Sequence, residues 1–227
     1  MSPEDAIVGS DEAGKGPVLG PMVAAGVRAP PESVPDDVDD SKRLAPGTRE
    51  SIAERLRADE DVAVGVAVVP TDRIDDPETD MNSLTVAAHA EAIAAVAREG
   101  DAVVTDAGDV SESRFARRVR DGVVAASAPD TLSIDVHAEH RADETYPLVA
   151  AASVVAKVRR DAEIDDLAEE YADYGPLGSG YPSDPTTRDF LRRYVADTGE
   201  LPACARASWS TCADVLAAAE QSALSEF

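Results

Sequence analysis

Ile7-Val8-Gly9-Ser10-Asp11-Glu12-Ala13-Gly14-Lys15-Gly16-Pro17 is the stretch on which the reading of this chain turns. Its short apolar run reads as a buried strand, and it delivers adjacent carboxylates at Asp11 and Glu12. Neighbouring side chains on a strand point to opposite faces, so each acid faces its own way unless the strand ends there. Gly14 and Gly16 permit a tight turn that sets bare backbone N–H groups, with Lys15 between them, beside those acids. Carboxylates can hold a divalent metal, and amides with an ammonium can hold a phosphate. The combination points to phosphodiester chemistry; an acidic strand end followed by a glycine turn is the plainer alternative.

The same arrangement returns downstream. Ala102-Val103-Val104-Thr105-Asp106-Ala107-Gly108-Asp109 is a second hydrophobic run ending in acid, at the strand edge where open α/β sheets hold ligands. Asp106 directly ends the run and is the candidate; Asp109 reads as a turn or cap residue. Between the two runs, residues 18–27 read as a strand returning from the glycine turn, in a hairpin. Residues 29–40 form a Pro-rich acidic loop that ends at Asp40-Ser41-Lys42. Pro46 opens a helix to about Arg57, and residues 62–69 are a third strand. A helix capped by Asn82 or Ser83 carries Val86, Ala90, Ile93 and Ala97 on one face, with Gly100 as its stop. Beyond Asp109 come a helix over residues 111–120, a fifth strand over 131–138 and a polar loop at 139–144. A long Ala-rich helix follows from Pro147. Residues 174–185 are a Gly, Pro and Ser loop containing Gly180-Tyr181-Pro182. Asp184 caps a helix to about Asp197, and a last helix runs from about Ser210 to the end.

Composition bounds the class. With 227 residues and 44% apolar side chains, the chain can bury a full core despite a net charge of -24. Aromatics are 4%, so that core is built from Ala, Val and Leu. No stretch resembles a signal peptide, and the longest apolar run, residues 148–156, is too short to span a bilayer. Cys204 and Cys212 have no metal-ligand partners nearby and read as reduced thiols, so the expectation is a cytoplasmic protein without membrane contact. Asp and Glu total 45 against 21 Lys and Arg, and Lys15, Lys42 and Lys157 are the only lysines. Such a surface resembles proteins adapted to a high-salt cytoplasm. At about 1 M salt the Debye length is only ~3 Å, so repulsion between an acidic protein and a polyanion is largely screened. Recognition then rests on metal, hydrogen bonds and stacking. Two of the three lysines sit beside Gly-rich or Asp-Ser turns, which suits anion contact.

Taken together, Asp-Glu-Ala-Gly-Lys-Gly at 11–16, Asp-Ser-Lys at 40–42, Thr-Asp-Ala at 105–107 and Ala-Asp at 142–143 occur in one chain order. Ala-Ala-Ala-Ser-Val-Val-Ala-Lys at 150–157 and Gly-Tyr-Pro-Ser-Asp-Pro at 180–185 follow. The set resembles ribonuclease HII, in its archaeal branch, over about residues 6 to 210. The resemblance implies an α/β, RNase H-like fold: a mixed five-stranded sheet flanked by helices, with a helical C-terminal extension. It divides the chain into a catalytic domain at 1–170, the extension at 171–220 and a tail at 221–227. It also implies a monomeric endoribonuclease that hydrolyses RNA in RNA–DNA hybrids and single ribonucleotides in duplex DNA, leaving 3′-OH and 5′-phosphate. Two Mg²⁺ or Mn²⁺ ions would be held by Asp11, Glu12, Asp106 and Asp143. The family's Gly-Arg-Gly motif falls on Gly14-Lys15-Gly16, where Lys replaces a planar fork of donors by a point charge. Its substrate-sensing tyrosine falls on Tyr181, and Lys42 joins the substrate-binding set. The tail places Gln221, Leu224 and Phe227 at i, i+3 and i+6, resembling the peptide that docks replication enzymes on a sliding clamp; the alternative is that it finishes the last helix against the core.

Other residues have plainer readings. His137 and His140 suit packing or hydrogen bonding, and Ser153 suits packing, since no His–acid pair is placed to activate it. Arg117, Arg118, Arg120, Arg159 and Arg160 form either a phosphate-facing patch or solvated helix faces. Two other function classes use the same features: a metal-dependent phosphohydrolase of small phosphate esters, and a non-catalytic nucleic-acid-binding module. Four intact acids argue against the second, because bare carboxylates weaken polyanion binding.

Overall fold

The computed structural model describes residues 7–38, 44–127 and 132–225. Within them, five strands form one mixed sheet in the order β3-β2-β1-β4-β5. The strands are β1 (Ile7–Ala13), β2 (Met22–Ala29), β3 (Ala63–Val69), β4 (Ala102–Asp106) and β5 (Asp135–Glu139). β1 lies at the centre, antiparallel to β2 with Ile7 opposite Ala29 and Ala13 opposite Val23. It runs parallel to β4, Ser10 opposite Thr105, and β4 runs parallel to β5, Asp106 opposite Glu139. Parallel pairing brings the C-terminal ends of β1, β4 and β5 to one edge of the sheet.

Among the described residues, seven α-helices accompany the strands: α1 (Pro46–Ala58), α2 (Thr71–Ile74), α3 (Met81–Ala94), α4 (Glu112–Ala126), α5 (Pro147–Glu170), α6 (Pro185–Thr198) and α7 (Ser210–Ser225). Missing side chains on the central strands let two of them come close. A Cβ at Gly9 would run into the backbone of Leu148 in α5, and one at Gly26 would lie 2.8 Å from the Ala92 carbonyl of α3. α5 is buried without a break from Leu148 to Ala156, so its small residues are the layer that meets the sheet.

The chain gathers into two compact units. The first holds the described residues up to Ala13, Met22–Val68 and Met81–Arg160, and carries two apolar clusters. One joins β2, α1 and the start of α5; the other joins α3, β4 and α4 around Phe115. The second unit holds Gly14–Pro21, Val69–Asp80 and the chain from Asp161 on. Its core is Val18, Leu19, Phe190 and Leu191 with Tyr171, whose ring packs edge-on against Phe190 at 5.8 Å.

Several boundaries depart from expectation for identifiable reasons. β2 begins at Met22 rather than at residue 18, because Pro21 has no N–H to give a ladder. Val18 instead donates to the Gly180 carbonyl at 2.7 Å, and Leu19 bridges to Ala205. β4, by contrast, stops at Asp106 as expected, and Ala107 N–H donates to the Glu139 carbonyl. α3 ends at Ala94, before the Gly100 stop, and α2 has no counterpart among the expected elements. α6 starts as expected, with the Asp184 side chain accepting from Thr186 N–H.

Candidate active site

Asp11 and Glu12 are consecutive, so alternation along β1 sends them to opposite faces. Asp11 is buried on the α5 side, where Ser153 hydrogen-bonds to it. Glu12 faces α3, where its Oε2 meets His89 Nε2 at 2.9 Å. Asp106 enters from the end of β4. One carboxylate oxygen from each of Asp11, Glu12 and Asp106 can be chosen so that all three lie within 4.8 Å of one another. Glu12 N–H also donates to Asp11 Oδ1 at 2.7 Å.

Like charges this close oppose one another's ionisation. Burial, with Glu12 and Asp106 adding to it, raises the Asp11 carboxyl to about 7, against lowering by Ser153 and Lys157. Burial also raises Asp106; the hydrogen bond from Ala142 N–H opposes this, while the charges of Glu12 and Asp143 add to it. Such a site holds positive charge avidly, and its donors are all oxygen, which fits a hard divalent cation and excludes zinc-like sulfur or nitrogen ligation.

The fourth expected acid, Asp143, lies outside that trio but beside it. After β5 the chain reverses at Arg141, whose φ of 60° is unusual for a residue with a side chain. The short 3-10 turn Ala142–Glu144 follows, and Ala142 N–H donates to Asp106 Oδ1 at 2.8 Å. Asp143 is buried in that turn, and Asp106 feels its charge. Asp109, the rival at the end of the same apolar run, is engaged elsewhere. Both its oxygens accept from Arg114, at 3.0 and 2.6 Å, and this pairing holds its carboxyl below the usual range. His140 bridges Glu112 and the Asp109 carbonyl at 2.8 Å each, and His137 stands 3.5 Å from Glu139. Both are hydrogen-bonding residues, as expected.

Ser153 departs from its expected packing role. Besides reaching Asp11, its hydroxyl accepts from Lys157 Nζ at 2.5 Å, one turn along α5. The Ser-x-x-x-Lys spacing was the available signal, because i and i+4 share a helix face. His89 had no such signal: its immediate neighbours on α3, Ala88 and Ala90, are small, apolar and buried.

In the second unit, Gly14, Lys15 and Gly16 form the turn after β1, with Gly14 at φ 85°. Arg206 is fully buried and donates to the carbonyls of Gly14 (2.6 Å), Lys15 (2.9 Å) and Gly20 (3.0 Å). Its guanidinium lies 5.0 Å over the Trp209 ring. With those carbonyls committed, the turn has a fixed conformation. Tyr181 is 45% exposed, and its Cε1 would be 3.7 Å from a Cβ at Gly16, so ring and turn share a surface. The loop before α6 is secured by Asp184, which accepts from Ser179 and Thr186 N–H; these bonds hold its carboxyl down at about 2. Lys42 lies outside the described residues.

A mixed sheet whose central strand β1 pairs antiparallel with β2 and parallel with β4, presenting carboxylates from those adjacent parallel strands at one edge, defines an RNase H-like, metal-dependent nuclease. The family model described as Ribonuclease HII matches residues 8–212. A Ribonuclease HII from Halobacterium salinarum is 59% identical over 219 residues, covering 96% of this chain and 98% of its own length. The crystal structure of the ribonuclease H2 from Pyrococcus horikoshii OT3 superimposes with a TM-score of 0.83 at 33% identity, covering 95% of this chain and 99% of that one. A structure of the PCNA:RNase HII complex from Archaeoglobus fulgidus gives 0.76 at 37% identity, covering 92% and 95%. The chain belongs to the ribonuclease HII family and is a ribonuclease H-type hydrolase. Among the described residues, no helix is long and apolar enough to cross a membrane.

Proposed function

We propose that this chain hydrolyses the RNA strand of RNA–DNA hybrids and single ribonucleotides embedded in duplex DNA, leaving 3′-OH and 5′-phosphate. The observation that carries the reading is the convergence of Asp11, Glu12 and Asp106 to within 4.8 Å, with Asp143 beside Asp106. These four would hold Mg²⁺ or Mn²⁺. When bound, paired divalent ions supply an activated water and stabilise the departing 3′ oxygen of an in-line displacement.

The protein's own contribution is placement. Asp11 and Glu12 present carboxylates from opposite faces of β1, and Ala142 N–H fixes the rotation of Asp106. Substrate choice belongs to the 2′-OH, the group that separates RNA from DNA. Backbone groups at Gly14-Lys15-Gly16 read it, with Lys15 and Lys42 contacting phosphate as point charges. Tyr181 packs on the adjoining deoxyribose, so that a ribonucleotide followed by a deoxyribonucleotide is preferred. The tail residues Gln221, Leu224 and Phe227 dock the enzyme on a sliding clamp. The Archaeoglobus complex with PCNA and the exposure of Gln221 near the end of α7 support that partner; Phe227 lies outside the described residues.

The test is an end-labelled duplex with one ribonucleotide, incubated at multimolar KCl with and without Mg²⁺. Divalent-dependent cleavage at the ribonucleotide, and none of an all-DNA duplex, is the expected result. Turnover of a nitrophenyl phosphate with the duplex left intact would replace the reading by a small-ester phosphohydrolase. Binding without cleavage would replace it by a nucleic-acid-binding module.

A further inference from the structure

His89 is fully buried on α3, and every polar atom of its ring is engaged. Nε2 lies 2.9 Å from Glu12 Oε2. Nδ1 lies 2.8 Å from Ser10 Oγ and 2.9 Å from Thr105 Oγ1. Both hydroxyls are themselves anchored. Ser10 donates to the Ala25 carbonyl of β2 at 2.8 Å, and Thr105 lies 3.2 Å from the Asp106 carbonyl. Phe115 of α4 packs edge-on against the imidazole, with ring centroids 5.3 Å apart and planes at 85°. The ring therefore has one orientation, set by three elements.

That orientation matters because of where its contacts lie. Ser10 and Thr105 are paired residues of β1 and β4, each directly preceding an acid of the trio: Asp11 and Asp106. Glu12 has three side-chain torsions and stands at the end of β1. Left alone, a carboxylate repelled by two others would swing away from them. A ring nitrogen donating to one carboxylate oxygen removes that freedom. An apolar side chain of similar size would fill the space between α3 and the sheet at lower desolvation cost, so packing does not account for an imidazole here.

We propose that His89 is a positioning residue: it locks Glu12 in the rotamer that binds the divalent cation, and ties that rotamer to the register of β1 against β4. The inference rests on the reading of Glu12 as a cation ligand. Residues that orient a metal's ligands typically contribute about 10- to 100-fold to its affinity.

The experiment measures Mn²⁺ affinity of the full-length protein by electron paramagnetic resonance, with thermal unfolding of the metal-free protein recorded alongside. His89→Gln places an amide nitrogen where Nε2 stands, and His89→Asn places one where Nδ1 stands. Gln is expected to keep Mn²⁺ affinity within about threefold, and Asn to weaken it about tenfold or more. Glu12→Gln should weaken binding by itself, and His89→Asn should then add nothing, as coupled residues behave. Equal effects of Gln and Asn, or no effect of either, would overturn the proposal. So would an additive effect in the Glu12→Gln background. Should Asn prevent folding, the pair Ser10→Ala and Thr105→Val releases the ring while leaving every carboxylate in place. Unchanged Mn²⁺ affinity in that double variant overturns the proposal, and a loss of several-fold supports it. If Glu12→Gln leaves Mn²⁺ binding intact, the assignment of Glu12 as a ligand fails, and the role of His89 with it. If Glu12→Gln weakens binding while the His89 variants do not, only the role of His89 fails.

Discussion

Replacing Asp11 by Asn should inactivate the enzyme and yet make the metal-free protein more stable. The Asp11 carboxyl stands at about 7 in the fold against 3.8 in an unfolded chain, so the folded state holds this proton more tightly. Below pH ~4 both states are protonated and the group contributes nothing to the difference. As pH rises from there to 7 the unfolded state ionises first, and stability is lost; above 7 the full loss is present. A gap of about three pH units corresponds to about 4 kcal/mol. Asn avoids the buried charge but still buries an amide, whose oxygen can accept from Ser153 as the carboxylate does. About half the gain should survive, about 2 kcal/mol, or about 4–8 °C in Tm for a chain of this size. The assay is thermal unfolding of both proteins in EDTA at multimolar KCl, where surface charges are screened and buried ones much less so. The gap should be largest at pH 8 and shrink towards pH 4, and Mg²⁺ at pH 8 should raise the wild-type Tm more than the variant's. A variant less stable than wild type at pH 8, or a gap indifferent to pH, would refute the account of the buried charge.

Asp106→Asn should lower cleavage by about a thousandfold or more with the fold intact, whereas Asp109→Asn should stay active. Because Arg114 is half exposed and stays solvated when its pair with Asp109 is broken, Asp109→Asn should shift a melting curve only slightly. Tyr181→Phe should keep activity on a single-ribonucleotide duplex within a few-fold, and Tyr181→Ala should lose about tenfold or more, since packing on a sugar needs the ring and not the hydroxyl; equal damage would make the hydroxyl the working group. Gly9→Ala forces a methyl into the Leu148 backbone and should cost about 3 kcal/mol or more in urea unfolding. Gly47→Ala in α1, where nothing lies within 4 Å, should be neutral or stabilising by up to about 1 kcal/mol. A chain ending at Glu220 should cut a short duplex normally and lose clamp binding in a pull-down; unchanged clamp binding with a lowered Tm would show that the tail packs on the core instead.

Three strand-end acids were legible from the sequence because strand chemistry is local. A short apolar run that stops at a carboxylate can only present it at the strand's end, and two such runs are visible here. The sheet's membership was legible for the same reason, as was the Asp184 cap, whose partners lie within a few residues. The limits of β2 were less so, because a ladder ends where its partner turns away. The pairing of Asp109 with Arg114 was not legible, because only the turn into α4 creates that contact.

The supports of the site came from tertiary structure alone. Ser153 and His89 sit in helices whose neighbours are small and apolar, and on a helical wheel each is one more buried position. What distinguishes them is the strand face they meet: alternation along β1 turns Asp11 towards Ser153 on α5 and Glu12 towards His89 on α3. Arg206 is a similar case, an arginine near the C-terminus whose three acceptors lie 186 to 192 residues earlier. Sequence by itself determined which side chains carry charge and which short segments present them. Only the fold decided which helix residue faces each charge, because hydrogen bonds between distant segments depend on register and approach, and neither is encoded in the spacing of one segment.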